Sequence, residues 1–264
     1  MKKLMFAAAV AASLGVFADG IESANTVGYA TQSAGANAYP TLGAMFVTPG
    51  TTSFKLSNIT AKNASYREDK IQYLDPVLAK IDPNKVYTWY EDDEAPEDNG
   101  WYFYAPGEDF DEEYAGDEEF AAGTAFLGNF NPANGVELTY AGEVMMGDIT
   151  IDTKDASGNY LPYMYIVNPL PKRIQLSEIT AIGASYREDK IQTLDPAVAK
   201  IDASKVYTWY EDSSAPEDNG WYYYAPGTDN DEEYAGDEWI EIGGGFLCNF
   251  NVANEVKLVF AGAQ

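Results

Sequence analysis

The chain repeats itself. Residues 57–143 align with residues 177–263 at a constant offset of 120 without a gap, and 61 of these 87 positions are identical. Ala64 to Lys70, ASYREDK, returns as Ala184 to Lys190, and Lys85 to Asp92, KVYTWYED, returns as Lys205 to Asp212. Asp111 to Glu118, DEEYAGDE, returns as Asp231 to Glu238. A period of this length is one ordinary domain, so the chain must build one fold twice. Upstream the match fades. Val27-Gly28 faces Met146-Gly147 after a one-residue slip, and Val47 and Pro49 face Val167 and Pro169. Because a recent duplication keeps nearly everything, identity between the copies does not by itself mark a site.

The repeated segments read as β. Val86 to Tyr90 and Trp101 to Tyr104 are β-branched and aromatic runs. Val136 to Tyr140 alternates, which puts Val136, Leu138 and Tyr140 on one face. Asn99-Gly100 and Asn219-Gly220 read as tight hairpin turns between aromatic strands. Pro76 to Ile81 reads as a single helical turn, and no long amphipathic helix follows the N-terminal segment. The expectation is an all-β chain of two tandem antiparallel β-sandwich-like domains, 19–145 and 146–264, each with six to eight short strands.

The first 18 residues read as a secretory signal. Lys2 and Lys3 precede an uncharged stretch from Leu4 to Phe17, and Val16-Phe17-Ala18 offers small residues for cleavage before Asp19. That stretch is too short to span a bilayer easily, and no other long apolar run occurs, so no membrane insertion is expected. Strands this short also argue against a transmembrane barrel.

Composition removes several chemistries. The chain has no histidine and one cysteine, which excludes Ser-His and Cys-His catalysis, imidazole metal sites and an internal disulfide. Its net charge of −26 argues against nucleic acid and anionic lipid as partners. Cys248, flanked by Phe246, Leu247 and Phe250, reads as a buried small hydrophobe. The mixed charges of Arg67 to Lys70 and Arg187 to Lys190 read as solvated turns.

The acids are clustered. Residues 91–119 hold 14 and residues 211–239 hold 10, with no lysine or arginine in either stretch. Crowded carboxylates draw cations, and calcium takes six to eight oxygens. Asp109, Asp111, Glu113 and Asp117, with their copies Asp229, Asp231, Glu233 and Asp237, are the candidate calcium ligands. The pattern is not an EF-hand, because glycine falls at loop position 8 (Gly116 or Gly236) and position 12 is Phe120 or Ile240. Solvated acidic loops are the competing reading. The aromatic runs suggest a sugar-stacking platform, with Trp101 and Trp221 as candidate ligand-binding residues. Paired carboxylates could serve a glycosidase, but so many acids make any one pairing uninformative.

Four pieces carry a family likeness. They are Glu22 to Tyr29 (ESANTVGY), Val167 to Leu170 (VNPL), Gly243 to Phe246 (GGGF) and Leu258 to Gly262 (LVFAG). On these the chain resembles exported β-repeat proteins of planctomycete and verrucomicrobial bacteria. The first copy departs, with Val47 to Gly50 (VTPG), Gly123 to Phe126 (GTAF) and Leu138 to Gly142 (LTYAG) in the matching places. The resemblance implies an exported all-β repeat protein and carries over no catalytic residue.

Together these features predict an exported, non-catalytic structural or interaction protein of the cell surface or matrix, calcium-stabilised and self-associating. Strand addition is the expected route, with Ile21 to Ala30 of one molecule lying beside the closing strand of another. The alternative is a carbohydrate-binding protein using exposed Trp and Tyr platforms.

Overall fold

The computed structural model describes residues 27–35, 37–43, 45–104, 113–155, 157–224 and 233–262. About 50% of the chain is strand, and the small antiparallel sheets stand as a propeller-like ring of four. The all-β expectation therefore holds in its coarser form. The turns Pro76–Ala79 and Pro196–Ala199 contain no helix; each closes a hairpin, with Ala79 and Ala199 in the left-handed region at φ 50° and 52°.

The first half contains β1 (Val27–Ser33), β2 (Thr41–Gly43), β3 (Phe46–Val47), β4 (Ser53–Lys55), β5 (Ile59–Lys62) and β6 (Lys70–Asp75). It continues with β7 (Lys80–Tyr90), β8 (Gly100–Phe103), β9 (Glu119–Ala121), β10 (Ala125–Asn129) and β11 (Glu137–Val144). The second half contains β12 (Ile149–Asp152), β13 (Tyr163–Val167), β14 (Ile174–Gln175), β15 (Ile179–Ile182) and β16 (Lys190–Asp195). It continues with β17 (Lys200–Tyr210), β18 (Gly220–Tyr223), β19 (Trp239–Ile240), β20 (Gly245–Asn249) and β21 (Lys257–Phe260). Among the described residues these eleven and ten strands exceed the six to eight expected, because several are only two or three residues long.

Each half has a five-stranded sheet, ordered β2-β10-β6-β7-β8 or β13-β20-β16-β17-β18. Each also has a smaller sheet centred on its closing strand, β11 or β21. Alternation dictates how they pack. Val136, Leu138 and Tyr140 are all 1% exposed and meet Ile71, Tyr87, Trp89 and Trp101 of the larger sheet in one cluster. The second half repeats this with Val256, Leu258, Phe260, Ile191, Tyr207, Trp209 and Trp221. Cys248 belongs to that cluster and is fully buried; burial pushes its thiol well above the ordinary value.

The pairing register bears out one sequence alignment and corrects another. Ala30 pairs with Tyr140, and Ile149 pairs with Phe260, so β1 and β12 are equivalent with the one-residue slip. Val47 and Val167 are not equivalent. Val47 pairs with Glu143 on β11, whereas Val167 pairs with Gly245 on β20, where Gly43 stands in the first half. The closing strand β21 is flanked on both sides, by β12 and by β15. Val27 to Ala30 is likewise paired in cis with β11. The flank assigned to an incoming strand is therefore not open, because the start of the second half fills it.

The halves meet through equivalent residues. Leu127 pairs with Thr41 and Leu247 with Tyr165, so Thr41 and Tyr165 correspond, as do Tyr39 and Tyr163. The hydroxyls of Thr41 and Tyr165 share a 2.5 Å hydrogen bond. The Tyr39 N–H donates to the Pro196 carbonyl at 2.8 Å, and the Tyr163 N–H donates reciprocally to the Pro76 carbonyl at 3.0 Å. Leu74, Ala125, Leu127, Tyr165, Val167 and Leu247 form a shared apolar cluster behind these bonds. Such reciprocity marks an isologous contact, the kind a two-fold axis generates.

Candidate functional site

The β7–β8 hairpin sorts its aromatic residues by face. Tyr87 pairs with Phe103 and Trp89 with Trp101, and these four point inward. Trp101 is 1% exposed, stands edge-on to Trp89 at 5.3 Å and donates its indole N–H to the Ile59 carbonyl at 2.8 Å. Trp221 is 0% exposed and donates to the Ile179 carbonyl at 2.8 Å. Neither tryptophan can stack on a sugar, because each ring lies in the core and its one polar atom is already bonded. The expected platform is corrected on this point.

The tyrosines lie on the opposite face. Tyr90 and Tyr102 project outward from the hairpin with ring centroids 6.0 Å apart. Tyr66 joins one end at 5.2 Å and Tyr114 the other at 5.6 Å. Each neighbouring pair is edge-to-face, the arrangement the ring quadrupole favours. The second half reproduces the row as Tyr186, Tyr210, Tyr222 and Tyr234, at 5.2, 6.0 and 5.5 Å. The end rings are the most exposed: Tyr66 at 39%, Tyr114 at 46%, Tyr186 at 38% and Tyr234 at 45%.

Both ends of the row are built deliberately. Tyr114 lies on a segment that extends the sheet, since the Ala115 N–H donates to the Trp101 carbonyl at 2.7 Å. Its ring occupies space that two glycines leave empty. A Cβ on Gly100 would stand 2.6 Å from its Cε2, and one on Gly116 would meet its hydroxyl. Gly100 pairs with Tyr90 as a strand residue, so the hairpin loop is Glu91 to Asn99 and not the two-residue Asn-Gly turn. The Asn99 side chain instead accepts from the Asp92 N–H at 2.6 Å.

Tyr66 is placed by a buried carboxylate. Asp69 is 1% exposed. Its oxygens accept from the Ser65 N–H, the Asn131 N–H and the Asn134 side-chain amide, each at 2.7 Å. The turn it fixes lies over Thr88, whose hydroxyl accepts from the Arg67 N–H at 2.7 Å. Asp189 repeats the arrangement with Ser185, Asn251 and Asn254. The ASYREDK turn is therefore anchored and not simply solvated. The one sequence signal for this was the retention of both asparagines, at 131 and 134, in the second copy at 251 and 254.

Carboxylates border the row. The Tyr90 hydroxyl donates to Asp92 at 3.2 Å, and the Asp92 charge holds that phenol above its ordinary value. The Tyr102 hydroxyl donates to the Asp98 carbonyl at 2.8 Å; burial, then the Asp98 charge, raises it also.

Of the calcium candidates, Asp109, Asp111, Asp229 and Asp231 lie outside the described residues. Glu113, Asp117, Glu233 and Asp237 are exposed. Asp117 forms an ion pair with Lys55 at 3.0 Å, so the fold supplies a base that the local sequence lacks. Among the described residues no three Asp, Glu or Cys side chains converge as a metal site. No described helix is long and apolar enough to cross a membrane. No protein-family model, curated protein or solved structure matches the chain.

Proposed function

We propose that the chain is an exported, non-catalytic structural or interaction protein of the cell surface or extracellular matrix, acting through its two tyrosine rows. The observation that carries this reading is a row of four outward-facing rings per half, two on a hairpin whose Tyr87, Trp89 and Trp101 are spent in the core and two flanking it. Exposed aromatic patches rimmed by polar groups serve recognition. We read each half as a sandwich, since its two main sheets enclose one apolar cluster. In a bacterial host the tagged full chain is expected outside the cytoplasm with Asp19 at its N-terminus, as fractionation and N-terminal sequencing would show. Retention in the cytoplasm with Met1 intact would defeat the reading.

Calcium stabilisation belongs to the same proposal. The mature chain should melt at a higher temperature in calcium than in EDTA, and magnesium should give a smaller rise, because an ion held only by the native state stabilises it. Equal, small rises with both ions would reduce the acids to screening and remove calcium from the proposal. Glycan binding is the second reading, and with Trp101 and Trp221 buried it would have to use the outward tyrosines.

A further inference from the structure

The tyrosine rows lie in a strongly negative part of a strongly negative chain. The Asp92 carboxylate bonds Tyr90, the Asp98 charge acts on Tyr102, and Glu113 precedes Tyr114 in the chain; Asp212, Asp218 and Glu233 hold the corresponding positions in the second half. A neutral sugar would gain only hydroxyl hydrogen bonds from these carboxylates and no charge attraction, and an acidic polymer would be repelled. A cation gains twice, from the carboxylates and from the ring faces.

The molecule already shows this preference within its own chain. The Arg67 guanidinium lies 5.7 Å from the centre of the Tyr66 ring, at the end of the first row. Arg187 lies 5.5 Å from Tyr186, at the end of the second. Lys70 stands 4.3 Å over Tyr104 and Lys190 4.5 Å over Tyr224, near the same hairpins. Lys85, Lys154 and Arg173 also stand over aromatic rings, which makes seven such basic side chains among the described residues. That is about twice the usual frequency of such pairs. The surface therefore already holds guanidinium and ammonium heads against tyrosine.

We propose that each tyrosine row, with its bordering carboxylates, is a docking strip for an arginine- or lysine-rich polypeptide segment. Cationic heads lie against the Tyr102 and Tyr114 faces, as Arg67 lies against Tyr66, and Asp92, Asp98 and Glu113 balance their charge. The occupant is extended, because the rings follow one another across neighbouring strands in a single row. The proposal rests on the rows being the surface the protein uses, and it names the partner's chemistry.

The test is fluorescence anisotropy of the mature full chain with a short labelled peptide alternating arginine and serine, at physiological salt. A matched peptide carrying citrulline is the neutral control. Changing Tyr102, Tyr114, Tyr222 and Tyr234 together to leucine alters no charge at neutral pH, and binding should weaken about tenfold or more. Asp98→Asn with Asp218→Asn leaves every ring in place and should weaken binding about threefold while flattening its salt dependence. If the leucine variant fails to fold by circular dichroism, the asparagine pair decides. Undiminished binding by the folded leucine variant would reduce the effect to charge alone and overturn the proposal. Equal affinity for the citrulline peptide, or preference for a neutral glycan, would overturn it too. Those results would leave the surface reading standing, whereas cytoplasmic retention would defeat that reading without touching the peptide result.

Discussion

Trp101→Ala lowers the unfolding free energy by about 3–5 kcal/mol, the usual cost of truncating a fully buried tryptophan. The indole is 1% exposed and packs edge-on against Trp89 at 5.3 Å, so its removal leaves a cavity that the rigid hairpin cannot close. It also strips the Ile59 carbonyl of its 2.8 Å donor. A domain of ordinary stability has roughly 5–15 kcal/mol to lose, so the first half approaches unfolding. Trp101→Phe keeps the larger part of the apolar area but loses the N–H and part of the ring, and it should cost about 1–3 kcal/mol. Urea melts followed by circular dichroism give both values. The same substitution in a ligand platform would leave the melt unchanged and abolish binding; a loss below about 1 kcal/mol would put the ring back on the surface.

Asp69→Ala is the second large effect. Three donors at 2.7 Å, each on a half-buried residue, lose their acceptor together. Orphaned donors of a buried charged network cost about 3 kcal/mol or more in sum. Asp69→Asn keeps one acceptor oxygen and should lose about half as much. The distinguishing readout is spectroscopic. Tyr66 rides on the turn that Asp69 fixes, so near-ultraviolet circular dichroism from the row should fall in Asp69→Ala well below the unfolding temperature. A lowered melting point with an unchanged tyrosine spectrum would mean that Asp69 supports the core without positioning Tyr66.

The β class was legible because β-branched and aromatic runs have little other use, and the repeat was legible because 120 residues separate each pair of copies. The inner face of β11 was legible because polar residues alternate with Val136, Leu138 and Tyr140. In WYFY the same rule fails for a physical reason. Every position is aromatic, so alternation groups Trp101 with Phe103 but supplies no contrast to say which pair faces the core. The outward tyrosines became visible only once Trp89 and Trp101 were seen to fill the interior. Asp69 was misread because its partners Asn131 and Asn134 are more than 60 residues away in sequence. The pairing of Asp117 with Lys55 escaped notice for the same reason. The Asn-Gly step misled because Asn99 serves as a loop brace and Gly100 as a recess for Tyr114, neither of which is a turn role.

The reciprocal bonds between Tyr39 and Pro196 and between Tyr163 and Pro76 give one polypeptide the contact that two identical subunits would otherwise have to find by collision. A dimer held by such a surface dissociates on dilution, whereas a fused pair cannot. Each tyrosine row therefore keeps its twin at a fixed effective concentration, however dilute the protein becomes. A partner that repeats its cationic segment at the matching spacing gains avidity that neither row supplies alone, and a partner offering one segment gains none.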